Sequence, residues 1–448
     1  MAANIAIIGA GSAVFSLNLV RDLCLTPNLR GSRVTFMDID AGRLQNIYTL
    51  ATRYAQDVGT ALELHQTTDR REALQGADIV VNAALAAGHH RLRAGWEVAK
   101  PLGYRWGGSL HIMHDEAYWI NFYQFRLFEQ VIEDVLDICP EAWYIQIANP
   151  VKAGITYLAR RYPRAKVVGL CHGFGGVYDI ARTLGLEPED VSFEAPGVNH
   201  FIWLTKLFYR GQDAMPLLDR WIAEEAERAW AAGTSGWELN PKKVDLYQRF
   251  GAFPIGDTAS DGGGSWGWEY HLDDATERRW RQDPWRFWSG FFSGGEQEVA
   301  AIARIAADPQ ARVTEHFPPE RSHESIVPMI EALVCDTARV IISNIPNHGT
   351  FVPGIPCDFQ VEVPALVSRR GVQGIRTGGL PPAVLAATLR DCVVPTELEL
   401  AAYERGSRAL LRELVMLDPW TRSRGQADQL LDAISALPFH HELRQHYR

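Results

Sequence analysis

Near its N-terminus the chain runs Ile5-Ala6-Ile7-Ile8 straight into Gly9-Ala10-Gly11-Ser12, and this constrains its fold more than any other feature. An apolar run closed by two glycines and followed by a helical pattern over residues 16–25 predicts strand, tight turn and helix. Gly9 permits the turn, and Gly11 lets backbone approach a pyrophosphate resting on the helix N-terminus. The third glycine usual in such turns is replaced by Val14. A second strand over residues 34–37 ends in Asp38, 29 residues after Gly9. A carboxylate at that tip accepts hydrogen bonds from an adenosine ribose and repels a 2′-phosphate. Gly9, Gly11, Ser12 and Asp38 therefore predict binding of NAD in preference to NADP.

Further short β-branched runs at residues 78–84, 143–147 and 166–170 alternate with helical stretches, one of them over 116–138, which reads as a parallel α/β sheet of Rossmann type. After Cys171 the texture changes. A strand is expected over 201–209, a helix over 216–232, a glycine-rich loop over 257–268, antiparallel strands from Ile341, and a helical tail over 381–448. At 448 residues the chain exceeds the ~250–300 at which a single core stops growing. Two domains follow: residues 1–195, Rossmann-type and NAD-binding, and residues 196–448, an α+β domain for substrate, metal and oligomerisation. A formal net charge of −10 argues against nucleic acid or an anionic membrane as partner. No apolar run approaches the ~20 residues of a membrane span, and no signal-peptide pattern is present, so a cytoplasmic protein is expected. The six cysteines are scattered and form no CxxC pair.

Two strand tips carry candidate chemistry. The run ending Ala148-Asn149-Pro150 points an amide at the crevice where such sheets bind ligands, although Asn-Pro also simply starts turns. Cys171 follows another strand, and Val198-Asn199-His200 lies downstream. A thiolate and an imidazole can share a divalent ion and leave positions open for substrate; a buried cysteine and a core histidine are the plain alternative. The run Gly88-His89-His90-Arg91-Leu92-Arg93 groups four potentially cationic side chains beside the cofactor crevice, suiting an anionic substrate group or a solvated helix start. Trp266 and Trp268 suit either stacking on a sugar face or core packing.

Taken in order, Gly9-Ala10-Gly11-Ser12, Asp38-Ile39-Asp40, Asn149-Pro150, Cys171-His172-Gly173, Gly197-Val198-Asn199-His200, Asn344-Ile345-Pro346-Asn347 and Val361-Glu362-Val363-Pro364 resemble the NAD- and metal-dependent glycosidases of glycoside hydrolase family 4. The resemblance runs through nearly the whole chain. It implies a lactate/malate dehydrogenase-like sheet, a divalent metal, manganese by preference, on Cys171 and His200, and a homodimer or homotetramer. Cys171-His172-Gly173-Phe174 is similar to the α-glucosidase and α-glucuronidase branch, and Leu92 stands where 6-phospho enzymes carry arginine. An unphosphorylated α-glucoside is thereby implied, with a neutral C6 or an anionic one (a glucuronide or sulfoquinovoside). Asp257, in Pro254-Ile255-Gly256-Asp257-Thr258, takes the place of the base, with Tyr247 and Tyr270 as rivals. The implied chemistry is transient oxidation at C3 with NAD, loss of the C2 proton to Asp257, and elimination and addition at C1. His172 is implied as general acid or sugar contact, and Asn149, Asn199 and Arg91 as substrate contacts. Other readings are a neutral α-glucosidase or α-galactosidase of the same mechanism, an ordinary dehydrogenase of 2-hydroxyacids, or a non-catalytic NAD-binding regulator.

Overall fold

The computed structural model describes residues 2–448, the side chains of residues 13–15, and so that of Val14, lying outside the description. Six parallel strands open the architecture: β1 (Asn4–Ile8), β2 (Arg33–Met37), β3 (Glu63–Thr67), β4 (Ile79–Asn82), β5 (Trp143–Gln146) and β6 (Lys166–Gly169). They lie in the order β3-β2-β1-β4-β5-β6, the doubly wound Rossmann arrangement with its switch point between β1 and β4. Helices α1 (Ala13–Cys24), α2 (Ala41–Asp57), α3 (Arg70–Ala73), α4 (Gly88–Ala99), α5 (Tyr118–Ile138) and α6 (Val151–Arg161) connect them. β4 is buried on both faces, as a central parallel strand covered by helices must be. β3 was not expected from the sequence. Its residues, Glu-Leu-His-Gln-Thr, form a half-exposed edge strand, and edges carry polar residues that hide the strand pattern.

The remaining strands are β7 (Val191–Glu194), β8 (Gly197–Val198), β9 (Phe201–Leu204), β10 (Lys206–Tyr209), β11 (Gln212–Asp213), β12 (Phe253–Ile255), β13 (Arg339–Pro346), β14 (Gln360–Ser368) and β15 (Gly371–Gly374). The Rossmann sheet does not stop at β6. It continues antiparallel through β13, β14, β8 and β9 to β12, with β15 on β14, giving twelve strands in one sheet. Two of its joints are single residue pairs, Asn344 with Gly169 and Glu362 with Gly197.

The strand expected over 201–209 is two strands in different sheets. β9 belongs to the large sheet, whereas β10 pairs β7 and β11 in a small one. The chain turns between them at Thr205, which bonds Glu194. The helix expected over 216–232 is likewise two helices, Met215–Glu224 and Ala226–Ala232, interrupted at Glu225. From Pro382 to His446 the tail is helical, as the sequence suggested.

Candidate active site

In doubly wound sheets ligands bind beyond the carboxyl ends of the strands. Gly9, Asp38, Asn149 and Cys171 all lie there, just past β1, β2, β5 and β6. Gly9 has φ +82°, and a Cβ on it would come within 2.5 Å of the Ala84 backbone, so only glycine fits this turn. The Asp38 carboxylate accepts from the N–H of Gly11 at 2.8 Å and of Asp40 at 2.9 Å, tying the tip of β2 to the glycine turn. Ser12 caps α1 without spending its hydroxyl on the helix. It lines a cavity of about 230 Å3 together with Ala83, His89, Leu92, Asp115 and Asn149. The glycine cradle, the N-terminus of α1 and the adjoining cavity fit a dinucleotide.

Strand register assembles the second half of the site. Asn199 and His200 form the two-residue turn between β8 and β9, with His200 at φ +61°. Ile255 of β12 pairs Ile202 of β9 antiparallel, and the 3-10 turn that follows at Gly256–Ala259 brings Asp257 to His200. Asp257 Oδ2 lies 3.6 Å from His200 Nε2, its side chain one-third exposed (34 %). Thr258 locks this register by donating to the Ile202 carbonyl at 3.0 Å and accepting from its N–H at 2.9 Å. Gly256, at φ +58°, packs on the Gly173 backbone, where a Cβ would lie 2.9 Å from the carbonyl oxygen. The Asp257 turn is thereby pressed onto the loop that carries Cys171. A buried ion pair braces it: Lys243 donates to the Gly256 carbonyl at 3.0 Å, and Glu238 accepts from the Gly256 N–H at 3.3 Å.

The structure sets Cys171 beside His200, close enough to raise its pKa. Three residues overlooked in the sequence stand around them, the consecutive His114, Asp115 and Glu116 ahead of α5. His114 Nδ1 is 2.5 Å from Asp115 Oδ1, and Asp115 Oδ2 accepts from the Asn149 amide at 3.0 Å. Glu116 Oε1 is 2.6 Å from His200 Nδ1. No sequence motif marks this triplet; its only signal was three titratable residues in a row before a long apolar helix. Among the described residues, ligand atoms of His114, Asp115 and His200 lie within 4.8 Å of one another. Two imidazoles and a carboxylate converging beside Cys171, with Asn199 Oδ1 lacking a hydrogen bond among the described residues, fit a borderline divalent cation.

The electrostatics follow from burial and pairing. Burial alone would lower the His200 pKa, but Glu116, Cys171 and Asp257 outweigh it and hold the imidazole well above its usual value. Burial would raise Glu116; Lys152 and His200 reverse that and hold it well below the carboxylate range. Glu362, buried beneath the turn, is raised by burial despite the amide of Asn199.

Other sequence candidates fall elsewhere. Arg91 does not face the cavity: its guanidinium stacks on Tyr123, 4.7 Å from the ring centroid. Helix α4 begins at Gly88, so His89 and Leu92, three apart, share the cavity face and Arg91 falls on another. Asn199 is fully buried and donates to Glu362 at 3.1 Å, underpinning the His200 turn. The His172 side chain is 53 % exposed, with Nδ1 3.7 Å from Glu324. Trp266 packs in the core against Phe201, Trp203 and Phe250. The hydroxyls of Tyr247 and Tyr270 are committed to Asp219 and Asp245, and both lie above the usual phenol range through burial and those carboxylates. No helix among the described residues is long and apolar enough to cross a membrane.

Comparison with known proteins bears on the fold and the family. An α-glucosidase of Erwinia rhapontici is 24% identical over 97% of this chain and 97% of its own. An α-galacturonidase of Thermoanaerobacterium saccharolyticum is 25% identical over 87% of this chain and 85% of its own. The fold is shared with a 6-phospho-α-glucosidase from gut microorganisms solved in complex with NAD and Mn2+, with TM-score 0.79 and 19% identity over 97% of this chain and 98% of that one. The model of the family 4 glycosyl hydrolases matches residues 4–186, and that of their C-terminal domain residues 195–421. Matched across both parts, the chain belongs to glycosyl hydrolase family 4.

Proposed function

We propose that this enzyme hydrolyses an unphosphorylated α-glucoside by an NAD- and metal-dependent elimination and addition. The observation that carries the reading is the meeting of Cys171, His200 and Asp257 beside the cavity lined by Ser12 and Asn149. When bound, NAD supplies a hydride acceptor for sugar C3, and a divalent metal, manganese by preference, supplies a Lewis acid for the adjoining oxygens. Gly9, Gly11, Ser12 and Asp38 hold the dinucleotide, and Cys171 and His200 hold the metal. Asp257 takes the C2 proton: it is open to the site, and its tyrosine rivals are engaged elsewhere. Asn149, aimed by Asp115, orients the sugar hydroxyls. His172, exposed beside Cys171, hands a proton to the leaving oxygen.

In this reading residues 1–195 bind the cofactor and residues 196–448 contribute His200, Asp257 and the surfaces of a homodimer or homotetramer. Dependence on a reduced thiol and on NAD supports a cytoplasmic enzyme. Leu92, buried in the cavity wall, offers no charge to a phosphate, which supports an unphosphorylated sugar. A second reading keeps this chemistry and puts a carboxylate or sulfonate at C6. It is favoured by the α-galacturonidase relative and by His89, the one histidine of the basic run that lines the cavity.

The test is a panel of 4-nitrophenyl α-glycosides (glucoside, galactoside, glucuronide and sulfoquinovoside) assayed with NAD, Mn2+ and reductant. Hydrolysis of the glucoside with no net NADH supports the reading, and preference for an acidic sugar supports the second. Stoichiometric NADH without glycoside cleavage overturns both.

A further inference from the structure

Asp115 and Glu116 are neighbours in sequence with divergent tasks. Asp115 faces the cavity, accepts from Asn149 and lies against the His114 imidazole. Glu116 turns into the protein, where it is only 1 % exposed. A carboxylate there is costly unless both oxygens are answered. One is answered by His200 Nδ1 at 2.6 Å, the other by Lys152 Nζ at 3.6 Å. Lys152, in the first turn of α6, is itself fully buried, and its Nζ makes no hydrogen bond among the described residues. Its burial is explained by the counter-charge it gives Glu116.

The His200 ring needs such a partner. The residue sits in a two-residue turn at positive φ, and its neighbours in β8 and β9 hold its backbone: Ser265 donates to its carbonyl at 2.8 Å. None of those contacts fixes the imidazole. The two ring nitrogens point to opposite sides, Nδ1 to Glu116 and Nε2 toward Asp257. An imidazole whose Nδ1–H is held by a carboxylate presents Nε2 as the metal-binding lone pair, in one tautomer and one orientation.

We infer that Glu116 is the positioning residue of the metal centre, fixing His200 with Nε2 toward the metal while Lys152 balances its charge. The inference rests on the metal reading of Cys171 and His200. Lys152 answers the carboxylate's other oxygen, so the pair stays in place beside the ring. Glu116 stays on the far side of the ring and touches neither metal nor sugar.

The test is Mn2+ binding to the NAD-loaded enzyme, followed by the electron paramagnetic resonance signal of free Mn2+. Wild type, Cys171→Ala, Glu116→Gln and the double variant Glu116→Gln/Lys152→Met are compared. Glu116→Gln should raise the Kd for Mn2+ about 10–100-fold, with NAD affinity unchanged. Activity should return toward wild type at saturating Mn2+, which a merely structural defect would not allow. The double variant removes the orphaned lysine and decides the matter where the single variant fails to fold; the same loss of Mn2+ affinity is expected. Wild-type Mn2+ affinity in either folded Glu116 variant, alongside loss of binding in Cys171→Ala, overturns the inference alone. Absence of Mn2+ binding by the wild type overturns the metal reading and this inference with it.

Discussion

His200 occupies a backbone region that non-glycine residues rarely enter, and its side chain gives the reason the fold keeps it there. The turn delivers an imidazole between Glu116 and Asp257, and a glycine at that position would relax the backbone at the expense of the imidazole. Asp257 is the clearest residue-level test. Asp257→Asn should lower kcat about 10²–10⁴-fold, the usual worth of a positioned base, while NAD and Mn2+ still bind. The same variant should stop exchange of C2 deuterium into solvent, and exchange at the wild-type rate would assign the base elsewhere. His172 makes a subtler prediction. A general acid matters most when the leaving group is poor. His172→Ala should slow an α-linked disaccharide at least tenfold more than the 4-nitrophenyl glucoside. Equal losses on both substrates would make it a sugar contact.

At the scale of elements, the glycine turn and the helix Pro241–Phe250 have the most to show. A methyl at Gly9 meets the Ala84 backbone, which cannot move without disturbing β4. Gly9→Ala should cost about 1–3 kcal/mol of stability and weaken NAD at least tenfold, read by denaturant unfolding and NAD titration. Lys242 on the helix is fully buried, donates to the Ser260 carbonyl at 2.8 Å and lies 3.1 Å from His271 Nε2. Burial lowers its pKa to about 7, Asp261 opposing and Lys243 reinforcing. In the unfolded chain a lysine titrates near ~10.4. Between those values the unfolded state binds more protons, so this group makes stability rise with pH from about 7 toward 10; below pH 7 its full penalty remains. Lys242→Met should flatten that rise in urea unfolding free energies, and parallel pH profiles for the two proteins would refute the assignment.

At the scale of the whole molecule, the sequence was legible wherever a proposed site residue sits at a strand tip. Gly9, Asp38, Asn149 and Cys171 follow apolar runs directly, and the parallel fold then forces them to one edge. It was illegible where contacts cross long separations: Glu116 meets Lys152 and His200 only after α5, β5 and β6 have been laid down. Arg91 illustrates a different loss, since composition showed a basic run but not the helical phase that turns it onto Tyr123. Nor could alternation show that one sheet runs from β3 to β12 across joints of single residue pairs. The pairing of Ile255 with Ile202 has a further consequence, for the lengths of chain that evolution and engineering can alter. His200 and Asp257 sit in the turns at the ends of β9 and β12, tied by that pairing and by Thr258, so the segments 200–204 and 253–257 should tolerate no change in length. The exposed turn at Arg210 and Gly211 lies between them, outside that pairing, and should absorb an insertion freely. A library of single-residue insertions scored for glycoside cleavage should therefore show two silent-intolerant stretches flanking a permissive one, a ruler written in strand register.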